Sequence, residues 1–248
     1  MDISPKKPDL TEEDISIVLI GDFNPVIFHP TWFAQHELIR VNEANDATID
    51  VVAQDISSFR LEWISFQILR DRFTATIKAD AYKTHLGDIV QGLFSILSHT
   101  PVKQLGINTT FKCEFKSNDD WHSFGHFLIP KSPWVDVLSK PGMRGMQIQG
   151  IRDDDRPGFT ILSVDPDLVL AVDTVFIRVN DHYENPQSLE KGVISSKWAV
   201  DILHTNYKNS IDKAESMISK LIDNFIATKT VDSATATATP IKSAESIG

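Results

Sequence analysis

The sequence predicts an α+β fold, an antiparallel sheet with helices packed on it, and three observations carry that expectation. Residues 72–79 alternate strictly, Phe73, Ala75, Ile77 and Ala79 against Arg72, Thr74, Thr76 and Lys78, which is the pattern of a strand buried on one face. Tyr82, Leu86, Ile89, Val90, Leu93 and Leu97 recur at helical spacing over 82–98. A longer helix is predicted over 195–227, where Ile211, Ala214, Ile218, Leu221 and Phe225 form one apolar stripe.

The remaining elements follow in order. Ile15-Ser16-Ile17-Val18-Leu19-Ile20-Gly21 reads as a buried strand, punctuated by Asn24-Pro25 and His29-Pro30. Pro30 forces His29 into extended geometry, so a short helix over 31–39 starts after it. Strands are expected at 48–54, 58–70 and 72–79, the last two joined tightly around Asp71. The middle one is apolar on both faces, with Phe59, Leu61 and Trp63 on one side and Ile64, Phe66 and Ile68 on the other. Thr100-Pro101 ends the helix over 82–98, and a strand over 102–115 and a helix over 118–129 come next. Strands at 143–152, 158–164 and 172–181 precede the closing helix.

This order, strand, helix, three strands, helix, occurs twice, which suggests repeats over 14–100 and 101–227 inside a single α+β domain of residues 14–227. His36-Glu37-Leu38-Ile39 and His126-Phe127-Leu128-Ile129 end the two short helices on a shared His-x-Leu-Ile pattern. The element order resembles the saddle of TATA-binding-protein-like folds, in which two such repeats share one curved sheet; the likeness is of topology and carries no function. Residues 1–13, polar and broken by Pro, and residues 228–248, an Ala/Thr alternation without aromatics, are expected to be disordered.

Composition narrows the function classes. Twenty-four Lys and Arg against 34 Asp and Glu leave a net charge of −10, and this mean field repels phosphate polymers and anionic lipid. Nucleic acid is therefore a disfavoured partner, and a saddle that bound it would need a local basic face. Neither an apolar leader nor an apolar run of membrane-spanning length is present, so a cytoplasmic address without membrane insertion is expected. The single cysteine, Cys113, lies in an alternating strand and reads as a small core side chain. The sequence lacks a phosphate-binding Gly-Lys-Ser/Thr loop, a dinucleotide fingerprint, a nucleophile elbow and a Cys-x-x-Cys pair, and no cofactor is predicted.

Three clusters are candidate sites. His122 and His126 lie four apart on the helix over 118–129, with Asp119 and Asp120 at its start, so one ion is within reach of both imidazoles and Asp119. Ser123 stands where a zincin helix has its catalytic Glu, and without it a hydrolytic mechanism lacks its general base. Asn180-Asp181-His182-Tyr183-Glu184-Asn185 combines acid and base side chains before Pro186, but its residue types favour a turn that ends a strand. If the strand instead continued, Asp181 and His182 would face opposite ways. Phe59, Leu61, Trp63 and Phe66, on the strand apolar on both sides, form a candidate protein-interaction surface. Asp153-Asp154-Asp155-Arg156-Pro157-Gly158 reads as a hairpin loop rather than a cation site.

Five stretches, Phe23-Asn24-Pro25-Val26-Ile27-Phe28-His29-Pro30-Thr31-Trp32-Phe33, Ser58-Phe59-Arg60-Leu61-Glu62-Trp63, Leu105-Gly106-Ile107-Asn108, Trp121-His122-Ser123-Phe124-Gly125-His126 and Val179-Asn180-Asp181-His182-Tyr183-Glu184, resemble an uncharacterised family of bacterial proteins of similar length. The resemblance implies a bacterial cytoplasmic protein with a compact mixed fold and assigns no activity. The reading that follows is a non-enzymatic protein-interaction or accessory module that binds another protein or itself. A metal-assisted hydrolase using His122 and His126 is the alternative, and nucleic-acid binding on the sheet is the third.

Overall fold

A computed structural model describes residues 7–78, 80–167, 173–189 and 194–237. Among them nine strands form one antiparallel sheet in the order β2-β3-β4-β5-β1-β6-β9-β8-β7. The strands are β1 (Asp9–Gly21), β2 (Thr48–Val52), β3 (Ile56–Arg60), β4 (Ile64–Leu69), β5 (Arg72–Ile77), β6 (Val102–Glu114), β7 (Met146–Ile151), β8 (Gly158–Pro166) and β9 (Thr174–Glu184). The helices are α1 (Pro30–Gln35), α2 (Val41–Asn45), α3 (Lys83–Ile96), α4 (Asn118–Leu128), α5 (Pro186–Leu189) and α6 (Lys197–Thr237). The expected class, helices packed on an antiparallel sheet, is the one observed.

The centre of the sheet is the pairing of β1 with β6, which runs from Asp9 opposite Glu114 to Gly21 opposite Val102. On either side of that seam the chain follows the same order, strand, short helix, antiparallel meander, longer helix, with one more meander strand in the first half. Period-two alternation puts Ile15, Ile17, Leu19, Leu105 and Ile107 on the face that the helices cover. Ser16, Val18 and Asn108 lie on the opposite face.

Helix α6 spans both ends of the core. Ala199, Ile202, Leu203, Tyr207 and Ile211 pack into the cluster over β1, β3, β4 and β5, and Ala214, Ile218, Ile222 and Phe225 into the cluster over β8 and β9. At about 1.5 Å per residue a helix of this kind is long enough to cross the whole sheet. Leu221, expected in the stripe, is only half-buried, and its neighbour Ile222 takes the core position. At Gly87 of α3 a Cβ would stand 2.7 Å from the Tyr207 ring, so the absence of a side chain there sets how closely α3 and α6 approach.

Four expectations are corrected. The single strand over 58–70 is a hairpin, β3 and β4, turning through Leu61-Glu62-Trp63 with Phe59 opposite Phe66. The turn shifts the parity of the alternation, so Phe59 and Phe66 point to the same side, the core, where they are 0% and 1% exposed. Leu61 is buried too, and Trp63 is half-buried, stacked on Tyr82 with its Nε1–H donated to Glu43 at 2.9 Å. These four residues are therefore not a free contact surface. The N-terminal segment expected to be disordered already pairs as β1 from Asp9, and residues 1–6 lie outside the described residues. Helix α6 likewise continues through 228–237 instead of ending at 227; residues 238–248 lie outside the described residues. Ser117 caps α4, its Oγ accepting the Asp120 N–H at 3.1 Å.

Other readings hold. His29 is extended (φ −132°, ψ 143°), and its Nδ1 accepts the Thr31 N–H as α1 begins. Cys113 is fully buried, and burial pushes its thiol up to about 12. Residues 152–157 form the β7–β8 hairpin loop. Among the described residues no helix is long and apolar enough to cross a membrane.

The corrected position of Phe59 predicts its energetics. Phe59→Ala should lower the free energy of unfolding by about 3–5 kcal/mol in chemical denaturation, since a large ring is removed from packed surroundings. A residue on a solvent-facing contact surface would shift stability by about 0.5 kcal/mol or less.

Candidate functional site

Beyond α4 the chain takes a long connection to β7 that carries a single turn of 3-10 helix, Ser132–Trp134. This connection folds back beside α4 and encloses a cavity of about 710 Å³. Trp121, Phe124, Ile129, Trp134, Val135, Leu138 and Met143 make its apolar wall, with Val175 of β9 at the floor. Helix α4 supplies one side because its apolar stripe faces the sheet: Phe124 is fully buried, and the Trp121 Nε1–H is donated to the Thr174 carbonyl at 3.2 Å. Successive turns of the same helix bring His122 and His126 to the mouth.

The polar lining has one sign. His122, His126, Lys131, Lys140 and Arg144 reach the cavity, and among the described residues no Asp or Glu lines it. Two acids near the lining have partners of their own. Asp120, near the start of α4, holds the Lys229 ammonium of α6 and the Ser117 hydroxyl, and Asp165 faces Arg178 at 3.8 Å. His126 has its pKa below the ordinary imidazole value; desolvation is the largest cause, followed by the charges of Lys131 and His122. A site with these properties stabilises an anion and gains protons as it does so. Its size is that of an ordinary ligand cavity.

The structure brings His122 and His126 together but leaves Asp119 outside the cavity lining, its carbonyl accepting the Ser123 hydroxyl. Among the described residues no group of three or more His, Cys, Asp and Glu side chains is placed to hold a metal ion. The sequence reading missed Lys131, Trp134, Lys140 and Arg144. Their signal is the stretch Pro130 to Gly145, a long Pro- and Gly-punctuated connection that nonetheless carries Trp134-Val135-Asp136-Val137-Leu138.

The second cluster is not a turn. Strand β9 continues through Glu184, pairing with β6 to Gln104, so its side chains alternate between faces. Asn180, His182 and Glu184 lie on the open face, where the His182 ring stacks on Phe159 with centroids 4.3 Å apart. Burial lowers the His182 pKa. Asp181 and Tyr183 point into the core under α6. There Asp181, 2% exposed, accepts from Arg152 at 2.5 Å, from the Ser210 hydroxyl at 2.6 Å and from the Tyr183 hydroxyl at 2.9 Å. Arg152 also holds Asp154, and its guanidinium lies 3.8 Å from the Tyr183 ring centroid. These groups satisfy one another in the interior and tie α6 to β9. Gly158 makes room for the hairpin beside them: its φ is +142°, and a Cβ would stand 2.0 Å from the His182 carbonyl oxygen.

Among the described residues, three basic side chains on the open side of the sheet stand against acids. Arg60 pairs with Asp50 at 3.3 Å, Lys112 with Glu114 at 2.7 Å and Arg178 with Asp165.

Removing the carboxylate of Asp181 takes the acceptor from Ser210 and Tyr183 and leaves the buried Arg152 with only its second partner, the partly exposed Asp154. Asp181→Ala should therefore cost about 3–5 kcal/mol in denaturant unfolding, and Arg152→Met combined with Asp181→Leu should cost distinctly less than that. Compared with protein-family models and with curated proteins, the chain matches none.

Proposed function

We propose that this protein is a non-enzymatic interaction module whose cavity beside α4 captures an acidic, apolar-anchored segment of a partner protein. The observation that carries the proposal is the charge of the lining: in a chain of net charge −10, every ionisable group that reaches the cavity among the described residues is basic. An apolar wall with cations at its mouth matches a ligand that has a hydrophobic body and a carboxylate. The apolar surface also extends past the cavity. Val135 and Leu138 are 62% and 55% exposed, and Val137, which does not line the cavity, is 68% exposed. That extent favours a polypeptide segment over a compact small molecule. The sheet region around Phe59, buried in the core, has no part in this reading.

Fluorescence anisotropy tests it with two labelled peptides of equal length, one alternating Asp with Leu and Phe, the other carrying Lys in place of Asp. Saturable, salt-sensitive binding of the acidic peptide alone is expected, weakened about tenfold or more by Lys140→Glu together with Arg144→Glu. Equal binding of both peptides, or no effect of the charge reversal, would overturn the proposal.

The pH dependence follows from His126. Its protonation is disfavoured in the free protein, and a bound carboxylate reverses that balance, so binding takes up a proton. Affinity for the acidic peptide should rise as pH falls from about 8 to about 5, and His126→Gln should flatten the profile.

A further inference from the structure

We propose that two copies of this chain associate through β7, edge to edge and antiparallel, about a two-fold axis perpendicular to the sheet. The sheet ends in two edge strands that differ in kind. On β2 a register shift between Ile49 and Val51 interrupts the pairing, and Asp50, bound to Arg60, puts charge on the edge. Both features blunt an edge against further pairing. Strand β7 has neither. It pairs with β8 residue for residue from Met146 to Ile151 without a shift, and Met-Gln-Ile-Gln-Gly-Ile contains no charge and no Pro. Residues 147–151 are all exposed, Ile148 at 58% and Ile151 at 96%. An even, uncharged edge with exposed isoleucines is a template for another strand.

Charge identifies the strand that completes it. Lys140 and Arg144 precede β7, and the run Arg152-Asp153-Asp154-Asp155-Arg156 follows it; there Arg152 is buried against Asp181 and Asp154, Arg156 faces Asp201, and Asp153 and Asp155 are exposed. Antiparallel pairing of two copies sets the basic end of each β7 against the acidic end of the other, twice in one interface. The same patch thus serves on both copies, as a two-fold interface requires. Parallel pairing would instead set basic end against basic end and acidic end against acidic end. A perpendicular axis keeps the helices of both copies on one side of a continuous sheet, with Ile148 of each copy close to the axis. This association concerns the edge beside the cavity and does not depend on what the cavity holds.

Sedimentation equilibrium of the full chain without peptide, over about 1–300 µM, tests the association. A reversible dimer is expected, weakened at least about tenfold by Ile148→Lys, which sets like charges close together at the axis. Asp153 and Asp154 already hold Lys213 and Arg152, so Asp155 is the acid to reverse. Arg144→Glu and Asp155→Lys should each weaken the dimer alone, and an equimolar mixture of the two should restore it, because each mixed interface then contains two opposite-charge contacts. Circular dichroism and melting of each variant establish that it is folded. A chain that stays monomeric throughout, a dimer indifferent to Ile148→Lys, or a mixture that fails to recover would overturn the inference.

Discussion

The structure depends on the antiparallel pairing of β1 with β6. These two thirteen-residue strands are the longest in the sheet, and each meander is anchored to one of them, β5 to β1 and β9 to β6. Because the pleat has a period of two, one register commits every second residue of both halves to the same face. Ile15, Ile17 and Leu19 then join Leu105 and Ile107 in a single apolar layer, and α3 and α6 cover it. A slip of one residue would turn this layer to solvent and bury Ser16 and Asn108 in its place.

Helix α6 converts that shared layer into a continuous core. Its buried positions pass from one hydrophobic cluster to the other without a break, so neither half of the sheet is covered independently of the other. Polar groups fix how it lies. The carboxylate of Asp181, held by Arg152 and Tyr183 on the sheet side, also accepts from Ser210 on the helix. A buried charge is stable only when its partners satisfy it, which gives this contact a strict geometry where apolar packing alone is tolerant. The exposed ion pairs, such as Lys208 with Asp212, contribute much less because water screens them.

The electrostatics of the surface are uneven. An excess of acid over the whole chain coexists with a cavity whose ionisable lining is basic, and the same basic residues stand at one end of β7 while acids stand at the other. The segmental charge pattern, rather than the net value, therefore governs what this surface attracts. The connection between α4 and β7 produces this pattern. It is too rich in Pro and Gly for regular structure, yet it carries enough apolar side chains to fold back against α4.

Much of the fold was legible in residue order alone. The alternation at 72–79 and the three-four spacings of α3 and α6 are local properties, and each located its element. The cap and entry signals at His29-Pro30 and the hairpin loop at 153–158 were readable for the same reason. What failed was any inference that required knowing what lies across the sheet. Phe59 and Phe66 look two-sided until the turn at 61–63 resets their parity, and Asn180 to Glu184 looks like a turn until β6 pairs with it along its length. The candidate site divided in the same way. His122 and His126 announce themselves by helical spacing, whereas Lys131, Lys140 and Arg144 acquire meaning only when their loop closes over the helix. The sequence by itself determined the period, face and type of the elements, because these arise from neighbours along the chain. The tertiary structure decided which faces are covered and which charges share a cavity, because burial and electrostatic context depend on groups distant in sequence and adjacent in space.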